Sequence, residues 1–331
     1  MAFRSRSQFG RGGLLVAFAT LLSILLFAAP AGAQGSRGER PHGAASSLHF
    51  PSPRPVPPAP TYLALGDSLA FGYSQAKFNG LYPNENPAAY NTGYVDDFGK
   101  VLKLFTPALQ VVNDGCPGET TDSFISGPCA YQLAFPLHHP YVGGPSSSQL
   151  SDALAYLGAH PGTVSPITLD IGANDALGLI EGACKLEAAC IAKGAPAAFA
   201  HIGANLGLIL GDLRAAAPHA QIIVLGLYNP FGSTIAGADE LTAALNKVEA
   251  GVAASVGARF ADPLPIFNPP GALEAPTICL LTNMCTPLVD IHPTDIGYAV
   301  LAGVVLQQYV LGLPPLQREP WRGLRIGAHG L

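Results

Sequence analysis

Charge is scarce in this chain. Asp, Glu, Lys and Arg make up 12% of its 331 residues, and the formal net charge is −5. The lysines and arginines are dispersed, so no basic stripe offers itself to a phosphate backbone, which argues against a nucleic-acid partner. Neither a glycine-rich phosphate loop nor a dinucleotide fingerprint follows any apolar run, and nucleotide chemistry is excluded on that ground. No Cys-x-x-Cys pair or clustered histidine gives zinc-ligand spacing to the cysteines. Internal repeats are missing too. After the N-terminal segment, no stretch reads as long enough and free enough of polar residues to span a bilayer.

What is present begins with Arg4, Arg6 and Arg11, an apolar run from Leu14 to Ala29, and Ala31-Gly32-Ala33. Basic, apolar and small-residue segments in that order read as a secretory signal over residues 1–33, cut after Ala33; a retained membrane anchor is the alternative. Residues 34–60 are rich in Pro, Gly, Ser and Arg without periodicity, and read as a disordered linker. A folded domain is expected over 61–312, followed by an unpacked C-terminal tail over 313–331. The six cysteines (116, 129, 184, 190, 279 and 285) form an even set, which in an exported chain implies disulfides. Pairing of sequence neighbours, each closing a short loop, is the expected arrangement. His138 and His139 are adjacent, so their side chains diverge on most backbones, and no metal site is expected of them.

Short apolar runs alternate with helical patterns. Strands are expected at Thr61–Leu65, Leu109–Asn113, Val164–Ile171, Gln221–Leu227 and Ala258–Ala261. Helices are expected over Tyr94–Phe105, Ser148–Ala159, about Gly194 to Ala217, Ala238–Val256 and Thr294 to about Leu311. The uninterrupted Ile-Ile-Val-Leu of the fourth strand reads as buried on both faces. The alternation indicates a three-layer α/β/α domain on a parallel five-stranded sheet.

In such a sheet, residues at the carboxyl ends of different strands share one edge. Ser68 follows the first strand, Gly118 lies beyond the second, Asn174 follows the third and His292 lies beyond the fifth. A serine needs an adjacent base to become a nucleophile, and His292 is the candidate. Backbone N–H groups at Ser68 and Gly118, with the Asn174 amide, could stabilise a tetrahedral oxyanion. Each residue also has a plainer reading, as a cap, a turn residue or a loop residue. Their common order and strand-end placement carry the argument.

Four blocks hold these residues: Gly66-Asp67-Ser68-Leu69, Asn113-Asp114-Gly115-Cys116-Pro117-Gly118-Glu119-Thr120, Gly172-Ala173-Asn174-Asp175 and Asp290-Ile291-His292-Pro293. In this the chain resembles the SGNH, or GDSL-type, hydrolase superfamily over about Tyr62 to Leu311. The resemblance implies a flavodoxin-like sheet and a cofactor-free serine esterase or lipase of the secreted bacterial branch. Such an enzyme is expected to be a monomer, to act on small-molecule or lipid esters, and to have no stable membrane insertion after signal removal. Polysaccharide or cell-wall O-deacetylation and a catalytically silent binding relative are the alternatives. The family's last block usually carries an aspartate three residues before the histidine, where Val289 stands. Asp290, two residues before, is the candidate orienter of His292, with a backbone carbonyl near Val289 as its rival. Gly115 competes with Gly118, and the resemblance favours Gly118, because the family places its glycine directly before a Glu/Asp-Thr pair. Phe71, Tyr73, Leu177 and Leu179 are candidates for lining an acyl pocket, or for the core.

Overall fold

The computed structural model describes residues 60–321. The expected signal over 1–33, the linker over 34–59 and the tail beyond Trp321 lie outside the described residues. Five parallel strands form the main sheet: β1 (Thr61–Gly66), β2 (Gln110–Asn113), β3 (Val164–Asp170), β4 (Ile222–Leu225) and β5 (Arg259–Ala261). Their order in space is β2-β1-β3-β4-β5. Both neighbours of β1 run parallel to it, with Ala64 level with Asn113 on one side and Thr168 on the other. Because connections cross over on both sides of β1, a crevice opens at its carboxyl end.

Period-2 alternation divides the strand side chains between two cores. Tyr62, Ala64, Ile223 and Leu225 face the helices Tyr94–Phe105 and Asp295–Gly312. Leu63, Leu65, Ile222 and Val224 face the helices Gln149–Ala159, Ala188–Ala216 and Ala238–Ser255. The three-layer parallel architecture is thus as expected. Two of these helices, Ala188–Ala216 and Asp295–Gly312, are long and apolar enough by composition to cross a membrane, contrary to the sequence reading. Both place apolar residues in the core instead, among them Leu206, Leu210 and Leu213 in the first and Leu301 and Val305 in the second.

Several other boundaries differ from expectation. The long helix begins at Ala188, because the Glu187 carboxylate accepts from the N–H groups of Ala189 and Cys190 and caps it. Helices at Gln75–Leu81 and Glu274–Leu281 had no sequence reading. A two-stranded antiparallel ribbon, β6 (Thr282–Asn283) with β7 (Asp290–Pro293), carries the His292 segment. The tail is packed at least as far as Trp321, which is buried and whose ring lies 3.9 Å from that of Phe105. The cysteines pair as 116–129, 184–190 and 279–285.

Candidate active site

β1 ends at Gly66, whose φ of +140° a side chain would resist. A Cβ there would run into the Asp170 carbonyl and carboxyl. Only glycine lets β1 and β3 lie this close at the turn. Asp67 then caps a single helical turn, accepting from Leu69 N at 3.0 Å, and Ser68 is the first residue of that turn.

β7 delivers the histidine. His292 Nε2 lies 2.9 Å from Ser68 Oγ, and His292 Nδ1 lies 2.5 Å from Asp290 Oδ1. A carboxylate can only accept, so in the neutral ring Nδ1 carries the proton and Nε2 is free to accept from the serine. The other oxygen of Asp290 accepts from Gln75 N at 2.9 Å, at the start of the Gln75–Leu81 helix. Burial pushes the Asp290 carboxyl up. The His292 hydrogen bond and charge, with the N–H groups of Gln75 and His292, outweigh it and hold the group below its ordinary value. The expected alternative, a backbone carbonyl, does not make this contact; the carboxylate two residues back does. Just before it, Val289 adopts φ of +47° while exposed, an unusual conformation for a β-branched residue. The Tyr228 hydroxyl donates to Ile291 O at 2.7 Å, and the Tyr73 ring packs 4.8 Å from the imidazole.

Gly118 and Asn174 join Ser68 and His292 in lining one cavity. Gly118 has φ of +81° and open space where a Cβ would project. Gly115 instead presses on Ala70 and Phe71, where a Cβ would collide, so the second block divides its glycines between access and packing. Among the described residues, neither Ser68 N nor Gly118 N donates a hydrogen bond. The Asn174 amide donates to Glu119 O at 2.9 Å and to Asp67 Oδ2 at 3.2 Å.

Sequence reasoning passed over the polar groups beneath this edge. Asp170 Oδ2 accepts from the N–H groups of Asp67 and Ala70, and Asp170 Oδ1 accepts from the Tyr94 hydroxyl at 2.6 Å. It ties the nucleophile turn to β3. Burial and the neighbouring Asp67 charge push the Asp170 carboxyl well up. Gln149 clamps Gly66 from the other side, accepting from its N–H at 2.6 Å and donating to its carbonyl at 2.9 Å. An Asp at a strand end and a Gln at a helix start were the only available signals; an Asp there is common as a cap, and a Gln in the first turn behind the Ser148 cap carries no site signal of its own.

The cavity measures about 440 Å³ and is walled mainly by apolar side chains, including Leu177, Leu179, Ile191, Phe199, Leu227 and Leu245. Tyr73, Leu177 and Leu179 therefore line it, whereas Phe71 is fully buried in the aromatic cluster with Tyr73 and Tyr90. The adjacent histidines do diverge: His138 Nε2 donates to Phe71 O and His139 Nδ1 meets Asp114 Oδ1.

Among curated proteins, none matches this chain. Its structure is similar to that of an acetylxylan esterase from Geobacillus stearothermophilus, with 17% identity, a TM-score of 0.51, and coverage of 77% of this chain and 95% of that one. It is also similar to a lipase from a goat rumen metagenome, with 18% identity, a TM-score of 0.50, and coverage of 75% and 96%. At these identities the likeness concerns the fold. The pattern of the GDSL-like lipase/acylhydrolase family matches residues 64–300. A match across most of the folded chain makes this protein a member of the GDSL-like lipase/acylhydrolase family, an ester-hydrolysing serine hydrolase.

Proposed function

We propose that Ser68 is the nucleophile of a secreted esterase or lipase acting on esters of medium or longer acyl chains. The observation that carries this reading is the hydrogen-bonded line Asp290–His292–Ser68 opening on an apolar cavity of about 440 Å³. Ser68 Oγ attacks the acyl carbonyl as its proton passes to His292 Nε2. The imidazolium that forms is stabilised by Asp290, whose carboxylate stays ionised. The carbonyl oxygen becomes an oxyanion held by Ser68 N, Gly118 N and the Asn174 amide. Of the two Asn174 hydrogen bonds, the longer one, to Asp67, is the one exchanged for the substrate. Collapse of the intermediate breaks the ester bond, and the alkoxide leaves with the proton from Nε2. Water then attacks the acyl-enzyme with His292 as its base, and the acid is released. No cofactor enters this scheme.

The size of the cavity argues for the acyl chain. A water molecule occupies roughly 30 Å³ in the liquid, so an acetyl group would leave most of this volume to solvent against apolar walls. The three disulfides support an oxidising compartment, in agreement with the basic, apolar and small-residue order of the N-terminus. A panel of p-nitrophenyl esters from acetate to palmitate tests the proposal, alongside labelling by a fluorophosphonate. Expected are Ser68-dependent labelling and kcat/KM rising from acetate towards medium chains. Highest turnover on acetate, falling steadily with length, would move the protein to the O-deacetylases. A folded chain that neither labels nor turns over any ester would be a silent relative.

A further inference from the structure

Another imidazole–carboxylate cluster, apart from the Ser68–His292–Asp290 line, is formed by Asp114, His139 and Asp152. Asp114 follows β2, His139 sits in the loop preceding the Gln149–Ala159 helix, and Asp152 is in the first turn of that helix. One ligand-capable atom from each lies within 4.8 Å of the other two. His139 Nδ1 is 2.7 Å from Asp114 Oδ1 and 3.9 Å from Asp152 Oδ2. Both carboxylate side chains are fully buried, whereas a third of the His139 side chain is exposed. Asp114 Oδ2 and Asp152 Oδ2 are buried and accept no hydrogen bond from any described residue. Asp152 Oδ1, by contrast, accepts from Val142 N at 2.5 Å.

With both carboxylates ionised, two of them beside one imidazole leave negative charge uncompensated even when the ring is protonated. Burial of that kind is tolerated when the charge is paired or ligates a metal. We propose that Asp114, His139 and Asp152 form a zinc site with three protein ligands, open to water on the His139 side. Two carboxylate oxygens and one imidazole nitrogen suit Zn²⁺, and a divalent ion with a neutral imidazole brings the cluster to zero net charge. Three ligands arranged tetrahedrally about zinc sit roughly 3.4 Å apart, as follows from bonds of about 2.1 Å. The observed separations bracket that value, so small side-chain rotations suffice. A supporting shell is in place: Val142 N holds Asp152, and the Tyr141 hydroxyl donates to Asp114 O at 2.9 Å. The exposed flank of His139 provides an entry path.

The ion would join three segments that the active site depends on. Asp114 precedes Gly118 by four residues, the His139 loop also supplies the His138 contact to Phe71 O, and the Asp152 helix carries the Gln149 clamp on Gly66. Its role is therefore structural, since no reacting atom touches it. Zinc was expected neither of the cysteines, which are paired with one another, nor of the two histidines as a pair. The site uses one of those histidines with two aspartates distant in sequence.

The full chain, stripped with a chelator and dialysed, is titrated with Zn²⁺ alone against a chromophoric competitor, with Ca²⁺ in parallel. Expected are one tightly bound Zn²⁺ per chain, a higher Tm on saturation, and preference over Ca²⁺. His139→Gln and Asp152→Asn should each weaken Zn²⁺ binding at least about tenfold. Co²⁺ added to the stripped wild-type chain should give the intense visible bands of a four-coordinate ion, a readout that does not depend on the variants folding. No stoichiometric binding, tighter Ca²⁺ than Zn²⁺, a six-coordinate Co²⁺ spectrum, or folded variants that bind Zn²⁺ as the wild type does would each overturn the proposal.

Discussion

Two imidazole–carboxylate clusters among the described residues, those of His292 and His139, differ in one partner. His292 stands between a carboxylate and a hydroxyl, with Asp290 at 2.5 Å and Ser68 at 2.9 Å. His139 stands between two carboxylates, Asp114 and Asp152. In the first, one nitrogen is fixed as donor and the other faces a group with a proton to give, so the ring can carry that proton across. In the second, both neighbours are acceptors when ionised, and the ring can only offset their charge or share a cation with them. The first opens on an apolar cavity large enough for an acyl chain, and the second on solvent past His139. A histidine beside an aspartate is therefore not a signature of catalysis. The third group, and what the site opens on, decide.

The sharpest break of the comparison is at Ser68, where the proposed nucleophile distinguishes the two clusters. Ser68→Ala should reduce ester hydrolysis by at least about three orders of magnitude and leave the thermal transition in place. A folded Ser68→Ala protein with near-normal turnover would put His292 on the same footing as His139. Next in size is Asn174, whose amide has no counterpart at the second cluster. Asn174→Ala should lower kcat by roughly 10²–10³ with a smaller change in KM. A change in KM alone would make it a ground-state binding residue.

Asp290 sharpens the comparison from the carboxylate side. Asp290→Asn presents the ring with an amide, and should cost roughly 10²-fold or more in kcat because the wrong tautomer is favoured. The pH–rate profile should move with it. A loss below about fivefold with an unmoved profile would mean that the line Ser68–His292 works as a dyad. The matching change at the second cluster, Asp152→Asn, touches no reacting atom, and its readout is metal affinity rather than turnover.

Much of the first cluster was legible in the sequence because its members follow strands that are legible themselves. β1, β3 and β4 are apolar runs with clear punctuation, and the Tyr94–Phe105 helix shows its buried face at Tyr94, Val95, Phe98 and Leu102. The carboxylate was harder to read. The spacing two residues before His292 departs from the family pattern, and it works because β7 is extended, so that alternate side chains share a face. The turn at Val289 that leads into β7 gives no sequence signal, since a valine at positive φ is improbable. The helix that supplies Gln75 N to Asp290 was equally silent: none of its residues is buried, so it has no apolar periodicity. The second cluster was invisible for a different reason. Its three residues lie on a strand end, a loop and a helix, and only the packing of the 127–148 loop brings His139 to the others. Trp321 illustrates the same limit, being a lone aromatic in a charged tail that packs on Phe105 and Tyr309.

Glu119 contacts both Asn174 and Gln149, the latter on the helix that carries Asp152, and it provides the smallest and most separable effect. Its carbonyl holds Asn174, while its buried carboxyl accepts from Ser123 Oγ and from Gln149 Nε2 at 3.2 Å. Burial, opposed in part by those two hydrogen bonds, raises its pKa from 4.5 to about 7. An acid whose pKa is raised on folding keeps its proton in the native state at pH values where the unfolded chain has released it. Stability must then fall as the pH rises from about 4.5 to about 7, because the native state binds more protons than the unfolded state in that window. At full ionisation the cost is on the order of 3 kcal/mol, as the difference between those values implies. Glu119→Gln has the same shape, can accept from Gln149 and donate to Ser123, and cannot ionise. The wild type should therefore lose more Tm between pH 5 and pH 8 than the variant does, by on the order of 5 °C or more for a domain of this size. Asp170, whose charge is not among the causes of the Glu119 shift, contributes similarly to both proteins, whereas Asp67 and Asp175, which help raise it, feel the Glu119 charge in return and belong to the measured difference. Parallel Tm curves across that range would show that Glu119 is already ionised in the folded chain. Glu119 would then carry a full negative charge next to Asn174, and the oxyanion proposed there would have to form against it.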